Sequence, residues 1–297
     1  MKHITDLNIE RNQQIVTQAK EINELLVSNS ITPIFLKGTG NLIEDLYEDI
    51  AERMAGDIDF IFSKEEYPKA IAVLTNFRYS KVHDTTNHLS SFKHHPRLQK
   101  VNNIAAVEIH KELLLEEFAD EFNYIIIQKD SQKINDINIM SFENQMALSI
   151  IAKQINDHGL HYKNISLRNA YDVFLLSKIK NAISAFDKFN KLKNPLDCFL
   201  AICHEAFNKP TSLDYNSTPK TAAYIKTFNE ELNDENLRAK HHKKIKRKLF
   251  IKKGLRIIYK SLFDKAHRNW LIKRTTDKNW YKEKLVQVGL KKPKSNS

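Results

Sequence analysis

A chain of 297 residues with only six Gly and seven Pro has few points where its backbone can break or reverse tightly. Both counts are far below average usage, so the chain is expected to be mostly helical with short strands. Hydrophobic residues make up 41% and charged residues 28%, which excludes wholesale disorder. A chain this long buries roughly three quarters of its unfolded surface and needs no staples. The two cysteines, Cys198 and Cys203, exclude a disulfide framework and a Cys-based zinc finger. They read as small buried thiols in a reducing compartment, and a cytoplasmic location is expected. The opening MKHITDLNIERNQQ has no apolar signal-peptide core. The longest apolar runs, such as Ile125-Ile126-Ile127 and Val173 to Leu176, are far too short for a bilayer span.

Periodicity divides the chain. Helical spacing predicts a helix over about 8–29, and ITPIFL after it reads as a short buried strand. Lys37-Gly38-Thr39-Gly40 then forms a turn into a helix over 41–54, with apolar residues at 42, 43, 46, 47, 50, 51 and 54. Residues 56–62 read as a strand, and Ser63 with Glu66 forms a capping box for a helix over 64–77. Short alternating stretches fill 78–110, the clearest being Ile104 to His110. Beyond about residue 140 only helical patterns remain. The expected fold is α+β: a small mixed sheet with flanking helices over 1–138, then a helical domain over 139–297. The terminal KKPKSNS is expected to be disordered.

Asp57 and Asp59 lie two apart on the predicted strand and so share a face, while Ile58, Phe60 and Phe62 point to the core. Two adjacent carboxylates repel, and a divalent cation such as Mg²⁺ or Mn²⁺ resolves that repulsion with hard oxygen ligands. The bland alternative is the wet face of a half-buried strand. Glu108, in Val107-Glu108-Ile109-His110, becomes a third acid if its strand lies beside the first. Three acids can hold two metals about 3.5–4 Å apart, the clamp used in phosphoryl and nucleotidyl transfer. His110 shares the face of Glu108 and is the one histidine of twelve placed near the site. The adjacent pairs His94-His95 and His241-His242 diverge, and most histidines read as neutral or solvated. The Lys37-Gly38-Thr39 turn offers backbone N–H groups to an anion, against the alternative of an ordinary strand-to-helix turn. No P-loop or dinucleotide fingerprint is present.

Together, Phe35-Leu36-Lys37-Gly38, Arg53 ahead of Gly56-Asp57-Ile58-Asp59-Phe60, and Val107-Glu108-Ile109-His110 resemble the uncharacterised nucleotidyltransferase family of the polymerase-β superfamily. His158, followed by Arg168 and Asp172, is similar to the family's spaced His, Arg and Asp. The resemblance covers roughly 20–180. It departs in having Glu108 where Asp is commoner and Gly38-Thr39 in place of a glycine pair. The resemblance implies that Asp57 and Asp59 bind the metals and that Glu108 completes the site or acts as a base. It also implies that Gly38 and Thr39 hold the β- and γ-phosphates of an NTP, with ATP the favoured donor, and that Lys37 neutralises triphosphate charge. Arg53 either shares that task or braces the carboxylate strand. Gly56, His110 and Arg168 fall on the nucleotide side, although Arg168 and Asp172, four apart on one helix, could simply pair.

Charge is also divided. From Leu237 onward there are 21 Lys and Arg against three acids, whereas the preceding 236 residues carry 26 against 33. The basic segment 237–297 admits three partners: the acidic front of its own chain, nucleic acid, or an anionic membrane surface. The function expected is metal-dependent transfer of a nucleoside monophosphate from an NTP to an unidentified acceptor. The alternatives are a nucleic-acid- or partner-binding protein and an Asp-x-Asp nucleotide-sugar glycosyltransferase. The latter usually needs more chain ahead of its motif than the 56 residues present here.

Overall fold

The computed structural model describes residues 2–82, 94–114 and 118–287; KKPKSNS and the middle of the 78–110 stretch lie outside them. The fold is mixed α+β, as expected. The chain divides into two compact units, 1–160 with 165–225, and 161–164 with 226–297.

Among the described residues the larger unit is built on seven strands: β1 (Ile34–Phe35), β2 (Asp57–Ile61), β3 (Ser80–Lys81), β4 (Leu98–Gln99), β5 (Ala106–His110), β6 (Gln132–Ile134) and β7 (Ile137–Ile139). Their order is β3-β4-β5-β2-β1-β7-β6. β2 runs parallel to β5 and β1 parallel to β7, and the other neighbours are antiparallel. β6 and β7, a hairpin not anticipated from the sequence, turn through Asn135 and Asp136, both at positive φ. Asn and Asp tolerate that conformation, and an isoleucine on either side of the pair is the hairpin signal.

Both faces of the sheet are covered. Ile58, Phe60 and Phe62 enter one core, with Val107, Ile109 and the face Ile15, Ala19, Ile22, Leu26 of α1 (Lys2–Ser28). That face repeats at helical spacing, so the helix lies flat on the strands. Ile34, Leu36 and Ile61 enter a second core. There they meet α5 (Phe142–Ile151), α7 (Leu167–Ile179), α8 (Ala182–Phe186) and α9 (Lys193–Ala206). On β2 this second cover begins at Ile61; Asp59 and Asp57, on the same face, lie beyond it.

Buried amides on α1 fix where the two acid-bearing strands start. The Asn12 amide donates to the carbonyls of Ile50 (2.6 Å) and Arg53 (2.7 Å) and accepts from Ala55 N–H (3.2 Å). Arg11 donates to the carbonyls of Ala55 and Gly56. Gln18 bonds both backbone groups of Ala105, just ahead of β5.

The helix expected over 41–54 is shorter and starts earlier. It is α2 (Lys37–Ile43), stopped where Asp45 takes a φ of 53°, and a single 3₁₀ turn at Ile50–Glu52 follows. Asp49 and Glu52 form a capping box on that turn, a competing local structure that the apolar periodicity concealed. The Ser63–Glu66 box has both of its bonds and leads into α3 (Tyr67–Asn76).

In the smaller unit the main element is a 29-residue helix, α11 (Glu235–Phe263), whose first N–H groups bond the Asp234 carboxylate. α12 (Lys265–Thr275) and α13 (Lys278–Gln287) follow, with Trp270 and Trp280 edge to face. Among the described residues no helix is long and apolar enough to cross a membrane.

Glu44, at the end of α2, accepts a hydrogen bond from Gln132, and burial pushes its carboxyl up to about 8. The unfolded chain releases this proton near 4.5 and the folded chain near 8, so stability declines as pH rises through that window. Glu44→Gln should abolish the decline and stabilise the protein at about pH 8.5, by on the order of 2 kcal/mol, relative to wild type. Urea midpoints at about pH 6 and pH 8.5 measure it.

Candidate active site

The in-register pairing of β2 with β5 sets Asp57 beside Ala106, Asp59 beside Glu108 and Ile61 beside His110. Alternate residues share a face, so Asp57, Asp59, Glu108 and His110 project together. Asp59 and Glu108 are buried and Asp57 is half-buried. Charges so placed need compensation.

Lys37 supplies part of it. Leu36 N–H bonds the Asp59 carbonyl (2.9 Å), carrying the chain past the acids as β1 ends. Lys37 then adopts a left-handed φ of 52°. Its Nζ lies 2.7 Å from Asp59 Oδ1, 3.3 Å from His110 Nε2 and 3.5 Å from Glu108 Oε2. A lysine in this region costs about 1–2 kcal/mol of backbone strain, which the charge contacts offset. Burial pulls its pKa down, but Asp59 and Glu108 outweigh that and leave it raised.

Arg97 supplies the rest and was not singled out in the sequence. Leu98 on β4 pairs with Val107 on β5, which turns Arg97 to the acids' face. Its Nη2 is 2.9 Å from Asp57 Oδ2 and its Nε 3.5 Å from Glu108 Oε1. Only alternation around Leu98, read together with the β5 pattern, could have found it. His94 Nδ1 adds a longer contact, 3.9 Å from Glu108. Its neighbour His95 diverges to the Tyr67 hydroxyl, and burial lowers its pKa to about 4. Burial would raise the Glu108 carboxyl, yet the His110 hydrogen bond and the charges of Lys37 and His94 hold it well below the carboxylate range. Asp57 is pushed up, mainly by burial and also by Asp59 and Glu108, against Arg97.

Asp59, Glu108 and His110 each bring one ligand atom within 4.8 Å of the others. His110 Nε2 is 2.8 Å from Asp59 Oδ1, so the imidazole faces the carboxylates. The two carboxylates fit a hard divalent cation such as Mg²⁺ or Mn²⁺, and the imidazole beside them favours Mn²⁺ of the two. Asp59, which would be one of the ligands, is paired with the Lys37 ammonium. Asp57 is turned to Arg97 at the edge of this group.

Other expected residues form a second cluster. Arg53 Nε lies 2.9 Å from both carboxylate oxygens of Asp172. The buried Tyr47 donates its hydroxyl to Asp172 at 2.8 Å and accepts from Asn41. Burial raises the Asp172 carboxyl against these partners. Arg168, exposed one turn earlier on α7, contributes longer-range attraction and lines a cavity of about 340 Å³ with Glu52, Arg53, Met54 and Tyr171. His158 is exposed in the turn before the short helix α6 (Gly159–Tyr162), at a φ of 59°. Thr39 is buried, and its hydroxyl donates to the Asp57 carbonyl (3.1 Å). Gly38 carries the Arg53 guanidinium against its α-carbon: a Cβ there would lie 2.3 Å from Nη1. A Cβ on Gly56 would meet open space beside Asp57.

A profile of the uncharacterised nucleotidyltransferases matches residues 1–207. The chain belongs to this nucleotidyltransferase family. The match takes in the whole sheet, both acid-bearing strands and α7, and ends just past α9. No curated protein matches the sequence. Among solved structures, this nucleotidyltransferase resembles JHP933 from Helicobacter pylori at 13% identity and a TM-score of 0.37, covering 81% of this chain and 97% of that one. Another H. pylori chain, provisionally assigned to the nucleotidyltransferases, matches at 13% identity and a TM-score of 0.39, with coverages of 78% and 96%.

Gly38→Ala should force the Arg53 guanidinium off the turn and strain its pairing with Asp172. The expected loss is about 2–3 kcal/mol, read as a lower urea midpoint. The double variant Gly38→Ala/Arg53→Ala should lose less than the sum of the two single losses.

Proposed function

We propose that this nucleotidyltransferase moves a nucleoside monophosphate from an NTP, with ATP the favoured donor, to an acceptor hydroxyl or phosphate, and that it depends on Mg²⁺ or Mn²⁺. One observation carries the reading: acids from two parallel strands converge with a lysine–glycine turn at the uncovered end of a buried sheet face. Asp59, Glu108 and His110 would hold a divalent ion, with Asp57 beside them toward the substrate. When bound, such an ion neutralises the charge developing on the transferred phosphoryl group.

The chain's own groups do the rest. Lys37, whose ammonium sits over Asp59 at the turn after β1, would neutralise triphosphate charge. Gly38 and Thr39 would line the phosphate path with backbone, because the Thr39 hydroxyl is committed to Asp57. Arg53 braces Asp172 and, with Arg168, lines the adjoining cavity, a volume suited to part of a nucleoside. Such a site works by positioning and electrostatics, with little covalent chemistry by the protein.

Isothermal titration of each of the four NTPs, with Mg²⁺ or with EDTA, tests the reading on wild type and on Asp57→Asn/Asp59→Asn. Metal-dependent binding of one NTP, weakened at least about tenfold in the double variant, is the expected result. Equal binding with EDTA, or binding untouched by the substitutions, sinks it.

A further inference from the structure

We infer that α11 is a docking helix for an anionic lipid surface. Ile251, Leu255, Ile258 and Leu262 follow one another at spacings of four, three and four, so they form one stripe along the helix. Each is 53–65% exposed, and Tyr259 and Phe263 flank the stripe at 65% and 76%. Continued toward the N-terminus, the same face carries Lys248 and Lys244, both exposed, with Arg247 alongside. That face is therefore apolar along one stretch and cationic along the next, while Lys252, Lys253, Arg256 and Lys260 fall on other sides of the helix. Over its 29 residues it holds eleven Lys or Arg and one acid, Glu235.

This division selects the occupant. A polyanion such as RNA would use the cations but has no place for four adjacent aliphatic side chains; phosphate contacts and base stacking call on basic and aromatic residues. Pairing with a second copy would need the apolar seam to persist for three or more heptads, whereas this one yields to lysines after about three turns, short of two heptads. A bilayer surface with anionic headgroups takes both halves, the stripe sinking into the headgroup–acyl boundary and the lysines meeting lipid phosphates.

The test is co-sedimentation of the full chain with phosphatidylcholine vesicles and with vesicles containing one third phosphatidylglycerol, alongside a gel-shift assay on an RNA duplex and light scattering for mass. Wild type should sediment with the anionic vesicles and stay in solution with the zwitterionic ones. Leu255→Asp/Leu262→Asp, at exposed positions where the fold tolerates polar groups, should lower vesicle partition by about tenfold or more. Lys244→Ser/Lys248→Ser should weaken it by a smaller, salt-dependent factor. The inference is overturned if wild type ignores anionic vesicles, whether or not it shifts RNA. It is equally overturned if the Asp variant binds vesicles as wild type does, or if it only converts a dimer to a monomer.

Discussion

Carboxylates brought side by side on a buried sheet repel one another, and the site is arranged around that repulsion. Asp59 and Glu108 meet because their strands run parallel and in register, and neither can lie half out of water without a cation nearby. Lys37 answers from the turn after β1 and Arg97 from the end next to β4, so four separate stretches of chain are held together by one electrostatic need. The left-handed backbone at Lys37 follows from the same need, since it brings the ammonium over the acids.

The bracing lies outside the charged cluster. Asn12 on α1 bonds backbone groups ahead of β2, and Gln18 bonds both backbone groups of Ala105 ahead of β5 while also reaching the Tyr79 hydroxyl. The strands that carry the acids are thus held from behind by the helix that covers their apolar face. Asp172, Tyr47 and Arg53 do similar work for α7 and the β1–α2 turn, through contacts that span more than a hundred residues of sequence.

What could be read in the sequence was what repeats locally. Alternation of acids with Ile58 and Phe60, and of Glu108 with Val107 and Ile109, placed both strands and the shared face of the acids. The resemblance in the same segments pointed to the family. Helical periodicity gave α3 to within a turn of its ends and the C-terminal end of α1, which begins at Lys2 and not near residue 8, and it marked the stretch beyond about 140 as helical. It failed over 41–54, where the apolar positions are buried by a short helix, a turn and a 3₁₀ segment instead of one helix; there Asp49 offered the backbone a cap that spacing alone does not weigh. Arg97 was invisible for a different reason: the register of β4 against β5 decides its face, and that register is a tertiary fact. The engagement of the Thr39 hydroxyl with Asp57 and of Arg53 with Asp172 belongs to the same class.

The contact between Gly38 and Arg53 ties this turn to α7. The guanidinium lies where any Cβ at position 38 would stand, and its Nε is committed to Asp172. A larger residue at 38 therefore displaces the guanidinium or needs a shorter side chain at 53, and either change weakens the cation's hold on Asp172, leaving it the Tyr47 hydroxyl. The three positions are coupled through one guanidinium, so the space open to a side chain at 38 is set by a helix far along the chain.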